Sequence, residues 1–128
     1  MTRRQSLYVA GGRLHVNPVP DAVRMDTFVY SSGLPGVDPA TGKAPDDLEA
    51  QTRLVFRHIK ELVEQAGGTL DDIVKMEVRL KDSTKRDILN KIWGETFPDE
   101  ADRPVRHTAQ AAMSFNYLIQ IEFVAILK

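Results

Sequence analysis

The chain reads as an α+β domain in which a mixed β-sheet carries two helices on one face. Two stretches of helical apolar period, residues 46–66 and about 82–97, are separated by an alternating apolar and polar run at residues 74–80. Strand-like segments occupy both ends of the chain, and turn-forming clusters punctuate the joins. With 128 residues, residues 1–128 form a single domain large enough to bury a real core.

Residues 5–9 and 13–16 read as two short strands joined across Gly11-Gly12, and Asn17-Pro18-Val19-Pro20 ends that unit. Residues 27–31 (Thr-Phe-Val-Tyr-Ser) form the next strand, and residues 33–42 are a loop dense in glycine, proline and aspartate. In the first helix, Asp46 is the expected cap with Glu49 reaching back. Leu48, Val55, Ile59, Leu62, Val63 and Ala66 supply the apolar stripe, and Gly67-Gly68 the stop. Val74, Met76, Val78 and Leu80 alternate with Lys75, Glu77 and Arg79, as in a strand with one buried face. The second helix starts at Asp82 or Ser83, turns Ile88, Leu89, Ile92, Trp93 and Phe97 inward, and stops before Pro98. Residues 117–127 form a core strand with Gln120 and Glu122 on one face. That strand has few polar positions for a solvated surface, so the second face of the sheet calls for cover by subunit association.

The balance of 17 Lys+Arg against 18 Asp+Glu gives a formal charge of -1 with no block of like charge, which argues against a nucleic-acid partner. The absence of cysteine removes disulfides, thiolate chemistry and the usual structural zinc sites. No apolar run approaches membrane-spanning length, and a soluble cytoplasmic protein is the expectation.

Arg106, in Arg103-Pro104-Val105-Arg106-His107-Thr108, is a candidate carboxylate clamp, because a planar fork of donors holds both oxygens of an organic acid. Its alternative role is a packed salt bridge, to Glu122 or to an acid on a neighbouring subunit. His15 and His58 show no metal-ligand spacing, and no metal site is expected. Phe28, Tyr30 and Trp93 read as core or interface aromatics, and Ser31 and Ser32 lack a Ser-His-acid arrangement.

Several short motifs recur in an order that resembles the Rid family, the reactive intermediate deaminases also called YjgF-like. They are Val29-Tyr30-Ser31-Ser32-Gly33 followed by Asp38-Pro39-Ala40-Thr41-Gly42; Glu49-Ala50-Gln51-Thr52; Ala66-Gly67-Gly68-Thr69-Leu70-Asp71-Asp72-Ile73-Val74-Lys75; Asn90; Phe97-Pro98; Arg103-Pro104-Val105-Arg106; and Ile119-Gln120-Ile121-Glu122. The resemblance implies a chorismate-mutase-like fold, a homotrimer with ligand clefts between subunits, and hydrolysis of reactive 2-imino or 2-enamino acids to 2-oxo acids and ammonia. It places the carboxylate-binding arginine on Arg106, the assisting backbone amide on Gly33, and a cleft asparagine on Asn90. No metal or organic cofactor is required by that chemistry.

Departures from the pattern bear on activity. Gln120 stands where many members have a glutamate that positions water, and an amide orients water without taking its proton. Val19 falls near the usual tyrosine, Thr108 replaces a common cysteine, and His107 stands beside Arg106 in place of serine. His107 offers proton transfer, or a cation for a second carboxylate, against the parity rule that turns adjacent strand residues to opposite faces. The expected catalytic set is therefore Arg106, Gln120 and His107, with Gly33, Asn90 and Thr108 binding substrate. An aminomuconate-type acid is the tempting substrate. The competing class is a non-catalytic, carboxylate-binding or regulatory homotrimer.

Overall fold

The computed structural model describes residues 2–128. Its elements are β1 (Gln5–Leu7), β2 (Ala22–Met25), β3 (Phe28–Ser31), β4 (Leu34–Pro35), α1 (Leu48–Gln65), β5 (Ile73–Leu80), α2 (Arg86–Thr96), β6 (Val105–Gln110) and β7 (Ile119–Ile126). One seven-stranded sheet runs β1-β2-β3-β7-β5-β6, with β4 also paired to β7. Only β5 and β6 are parallel, joined by the α2 crossover; the other pairs are antiparallel. The expected mixed sheet is present, and β6 is an outer edge.

Strand alternation sorts the sheet into two chemical faces. Met76, Val78 and Leu80 of β5 and Ile119, Ile121, Phe123 and Ala125 of β7 are buried with Ile59, Leu62 and Val63 of α1 and Leu89 and Ile92 of α2 in one cluster. Each such fully buried aliphatic side chain contributes about 1.5–3 kcal/mol relative to exposure. The opposite face carries Glu77, Arg79, Gln120 and Glu122 together with Phe28 and Tyr30, which are 45% and 55% exposed. On it Arg79 pairs with Glu122 and approaches Glu77, which also meets Lys75 at 3.3 Å. Phe28 and Tyr30 are thus surface aromatics of the single chain, whereas Trp93 is buried.

Four local expectations need correction. Residues 13–16 form no strand, because β1 pairs instead with β2. The loop between them satisfies its donors with side chains: Val9 N–H on Asp21 at 2.8 Å and Ala10 N–H on Glu61 at 2.6 Å. Gly12 packs so closely on the Pro39 carbonyl that no side chain fits. Strand β2 was not legible, since its hairpin to β3 turns on Asp26-Thr27 without glycine, Asp26 taking φ +55°.

The cap of α1 is Asp47, whose carboxylate accepts the Ala50 N–H at 2.9 Å. Asp46 instead accepts from Asn116 Nδ2 at 2.8 Å, and Glu49, one position short of a capping box, pairs with Arg53. Val74 is exposed because a register shift between Ile73 and Lys75 turns Ile73 inward. Residues 83–85 form a separate 3-10 turn capped by Asp82, and α2 proper begins at Arg86. No helix among the described residues is long and apolar enough to cross a membrane.

Candidate active site

Arg106 lies on the helix side of edge strand β6. Parity turns Arg106 and Thr108 toward α2, whose residues Arg86, Asn90 and Trp93 follow one another at helical spacing. Arg106 Nη2 donates to Asn90 Oδ1 at 2.7 Å, and its Cζ sits 5.0 Å from the centroid of the Trp93 ring. Trp93 is itself held edge-on against Phe97 at 4.9 Å. The salt bridge to Glu122 does not form, because Glu122 is on the other face with Arg79. Among the described residues no carboxylate pairs with Arg106 or with Arg86.

Burial lowers the pKa of the Arg106 guanidinium from its usual value, and the nearby charge of Arg86 lowers it further. It nonetheless remains a cation at neutral pH. Thr108 Oγ1, two residues along the same face, is buried without a hydrogen-bond partner. Arg86 Nη2 reaches the Thr108 carbonyl at 3.4 Å. A half-desolvated cation with an oriented fork, a second cation and an unsatisfied hydroxyl are groups whose chemistry suits an anion. The structure brings the expected Arg106, Asn90 and Thr108 to one edge and adds Arg86, whose only signal in the sequence is its place one turn before Asn90.

Gly33 belongs to a different part of the molecule. It precedes β4, which pairs with β7 on the side away from β5, in the register Leu34 to Ile121 and Pro35 to Gln120. A Cβ at Gly33 meets nothing within 4 Å, so its backbone is open to approach. From β4 to β6 there are three strand spacings, about 14 Å, too far for Gly33 and Arg106 to hold one carboxylate within a chain. Gln120 lies on the sheet face opposite Arg106, near β4. His107 also lies on that face, exposed, aligned with Glu77, which is aligned in turn with Glu122. One chain thus places the expected site residues in two separate groups: Arg106, Asn90 and Thr108, joined by Arg86, at the β6 edge, and Gly33 with Gln120 around β4 and β7.

Val19 is exposed in the loop that leads to Asp21. That loop holds a pair with no signature in residue order, His15 with its Nε2 3.5 Å from the buried Asp21 carboxylate. Burial lowers the His15 pKa, and Asp21 opposes that shift. His58 is likewise buried, donating Nε2–H to the Val37 carbonyl at 2.8 Å. No group of three or more His, Cys, Asp or Glu among the described residues could hold a metal ion.

The family profile described as Endoribonuclease L-PSP matches residues 14–127. The chain belongs to the Rid (YjgF/RutC) family. Among its relatives is Reactive Intermediate Deaminase A, chloroplastic, of Arabidopsis thaliana, 32% identical over 114 residues that span 88% of this chain and 60% of the relative. RidA from the Antarctic bacterium Psychrobacter sp. PAMC 21119 superposes with a TM-score of 0.88 at 30% identity, covering 97% of this chain and 100% of that one. E. coli TdcF with bound serine superposes with a TM-score of 0.87 at 26% identity, covering 97% and 99%. The Rid likeness therefore runs through nearly the whole chain, both groups of expected site residues included.

Proposed function

We propose that this protein hydrolyses a reactive 2-imino or 2-enamino carboxylic acid to the 2-oxo acid and ammonia, in clefts between the subunits of a chorismate-mutase-like homotrimer. The observation that carries this reading is Arg106: half-buried, stacked on Trp93, braced by Asn90, and without a carboxylate partner among the described residues. Such a cation is a receptor for an organic anion. Relatives with deaminase names, and one that holds serine, support the same chemistry.

The wide separation of Gly33 from Arg106 supports a cleft completed by a second copy, with the Gly33 and Gln120 half-site of one subunit meeting the Arg106 half-site of its neighbour. Arg106 and the Gly33 amide would then fix the substrate carboxylate, while Gln120 orients water. Water adds to the imine carbon, an enamine first taking a proton on carbon to become the imine. The resulting carbinolamine expels ammonia and leaves the carbonyl. An imine carbon is already electrophilic, so positioning accounts for most of the rate enhancement. An aminomuconate-type acid is the finer reading, resting on the departures from the family pattern at Val19, Thr108 and Gln120, with His107 on the face of β6 opposite Arg106.

The test generates imines in situ with an amino acid oxidase and follows their decay and ammonia release with and without the protein. Acceleration that Arg106→Ala abolishes supports the enzyme. Saturable binding of 2-oxo acids without acceleration would replace it with a non-catalytic carboxylate-binding trimer, the reading favoured by an amide at position 120. Light scattering should give about three times the chain mass of 14.4 kDa, and a stable monomer would remove the inter-subunit cleft. A nuclease reading has weaker footing, since Lys75 and Arg79 on the open face are matched by Glu77 and Glu122.

A further inference from the structure

We infer that Arg86 is a specificity residue that binds a second carboxylate, so that the site selects 2-imino or 2-enamino dicarboxylic acids over their monocarboxylic counterparts. The inference rests on the deaminase reading for the reaction but not for the binding preference, which is measurable without turnover.

Three observations lead to it. Arg86, Asn90 and Trp93 occupy successive turns on the side of α2 that meets β6, so Arg86 extends the row that braces Arg106. Its Nη2 contacts the Thr108 carbonyl at 3.4 Å, and the Thr108 backbone lies two residues, about 6.6 Å, along the strand from that of Arg106. A backbone offset of that size leaves room for two anionic groups on one short carbon chain.

Charge is the second consideration. Two arginines placed side by side without an acid repel one another, and each keeps donors to spare: Arg106 spends one on Asn90 and Arg86 one on a long contact to a carbonyl. A dianion would relieve that repulsion, whereas a monoanion leaves one positive charge uncompensated. The third observation is the buried Thr108 hydroxyl with no partner, a donor or acceptor on the same face of β6 as Arg106. His107, the cation suggested by sequence for a second carboxylate, is exposed on the opposite face of β6 and cannot meet a ligand held by Arg106 of its own chain.

The experiment compares binding of 2-oxoglutarate and 2-oxoadipate with 2-oxobutyrate by calorimetry on the assembled protein, for wild type, Arg86→Gln and Arg86→Lys. Rates are measured in parallel on imines generated from glutamate and from alanine. Wild type should prefer the dicarboxylates by about tenfold or more, the scale of one charge-assisted contact. Arg86→Gln should remove most of that preference, and Arg86→Lys should restore part of it with a steeper loss in salt. Equal affinity of wild type for both classes, or a parallel loss for both in Arg86→Gln, would overturn the inference. Dicarboxylate-selective binding that depends on Arg86 without ammonia release would keep it while defeating the deaminase reading; turnover with no Arg86-dependent selectivity would do the reverse.

Discussion

Arg106 lies with its Cζ 5.0 Å from the Trp93 ring centroid while its Nη2 donates to Asn90 at 2.7 Å, so two neighbours on α2 fix the plane of a guanidinium that no carboxylate among the described residues neutralises. The ring supports the cation from one side and the amide sets its rotation. Arg106→Lys keeps the charge but loses the fork. Affinity for 2-oxo acids should fall about 10- to 100-fold, the scale of one charge-assisted hydrogen bond, while the melting temperature and assembly stay near wild type. Calorimetric titration with a thermal melt checks both, and collapse of the fold would assign the arginine a structural role.

Gly33 and Gly36 stand three residues apart and should respond in opposite ways. A Cβ at Gly33 meets open space, so Gly33→Ala should melt like wild type yet lose ligand affinity, because the added methyl occupies the approach to the backbone amide. A Cβ at Gly36 would come 2.5 Å from the Gln51 carbonyl and 2.6 Å from its Cβ. Gln51 is wholly buried and ties α1 to residues 45, 116 and 118. Gly36→Ala should therefore destabilise by about 1–3 kcal/mol, read as a lowered melting temperature.

The source of water positioning separates through Gln120 and His107, which share a face that Arg106 does not. Gln120→Glu should retain or raise kcat/KM on small 2-imino acids, since a carboxylate orients water and also takes its proton. His107→Ala should change kcat/KM by less than about threefold, the scale of a residue that does not touch the reacting atoms. An inactive Gln120→Glu protein with a crippled His107→Ala protein would instead make His107 the proton-transfer group, acting across the subunit boundary.

Acid should weaken the fold through its buried histidines. Burial lowers the pKa of His58, with the Val37 hydrogen bond opposing, and burial lowers that of His15 as well. Above the unfolded value of about 6.5 neither state binds the proton, so stability is unaffected there. As pH falls below that value the unfolded chain takes up protons first, and stability declines until the folded histidines also titrate. Thermal melts between pH 5 and 8 should show that decline. His58→Gln, which keeps an Nε2–H donor for Val37, should flatten it; an unaltered slope would transfer the effect to other groups.

Much of this protein is determined locally and can be read from residue order. The 3.6-residue period of Leu48, Val55, Ile59, Leu62 and Val63 makes α1, and the two-residue period of Met76, Val78 and Leu80 makes β5, because burying an apolar face against a common core requires those spacings. The motif around Arg106 and the residues Asn90 and Thr108 were equally visible. Tertiary structure decided what depends on contacts distant in sequence. Residues 13–16 are a loop because β1 takes β2 as its partner while Asp21, Glu61 and Pro39 hold residues 9, 10 and 12, and β2 forms because its partner strand supplies the hydrogen bonds that a glycine-free turn does not advertise. The separation of Gly33 and Gln120 from Arg106, the turning of His107 away from Arg106, and the arrival of Arg86 beside Thr108 follow from strand order and from the side on which α2 packs, and strand order is set by pairing across the whole chain rather than by any local run of residues.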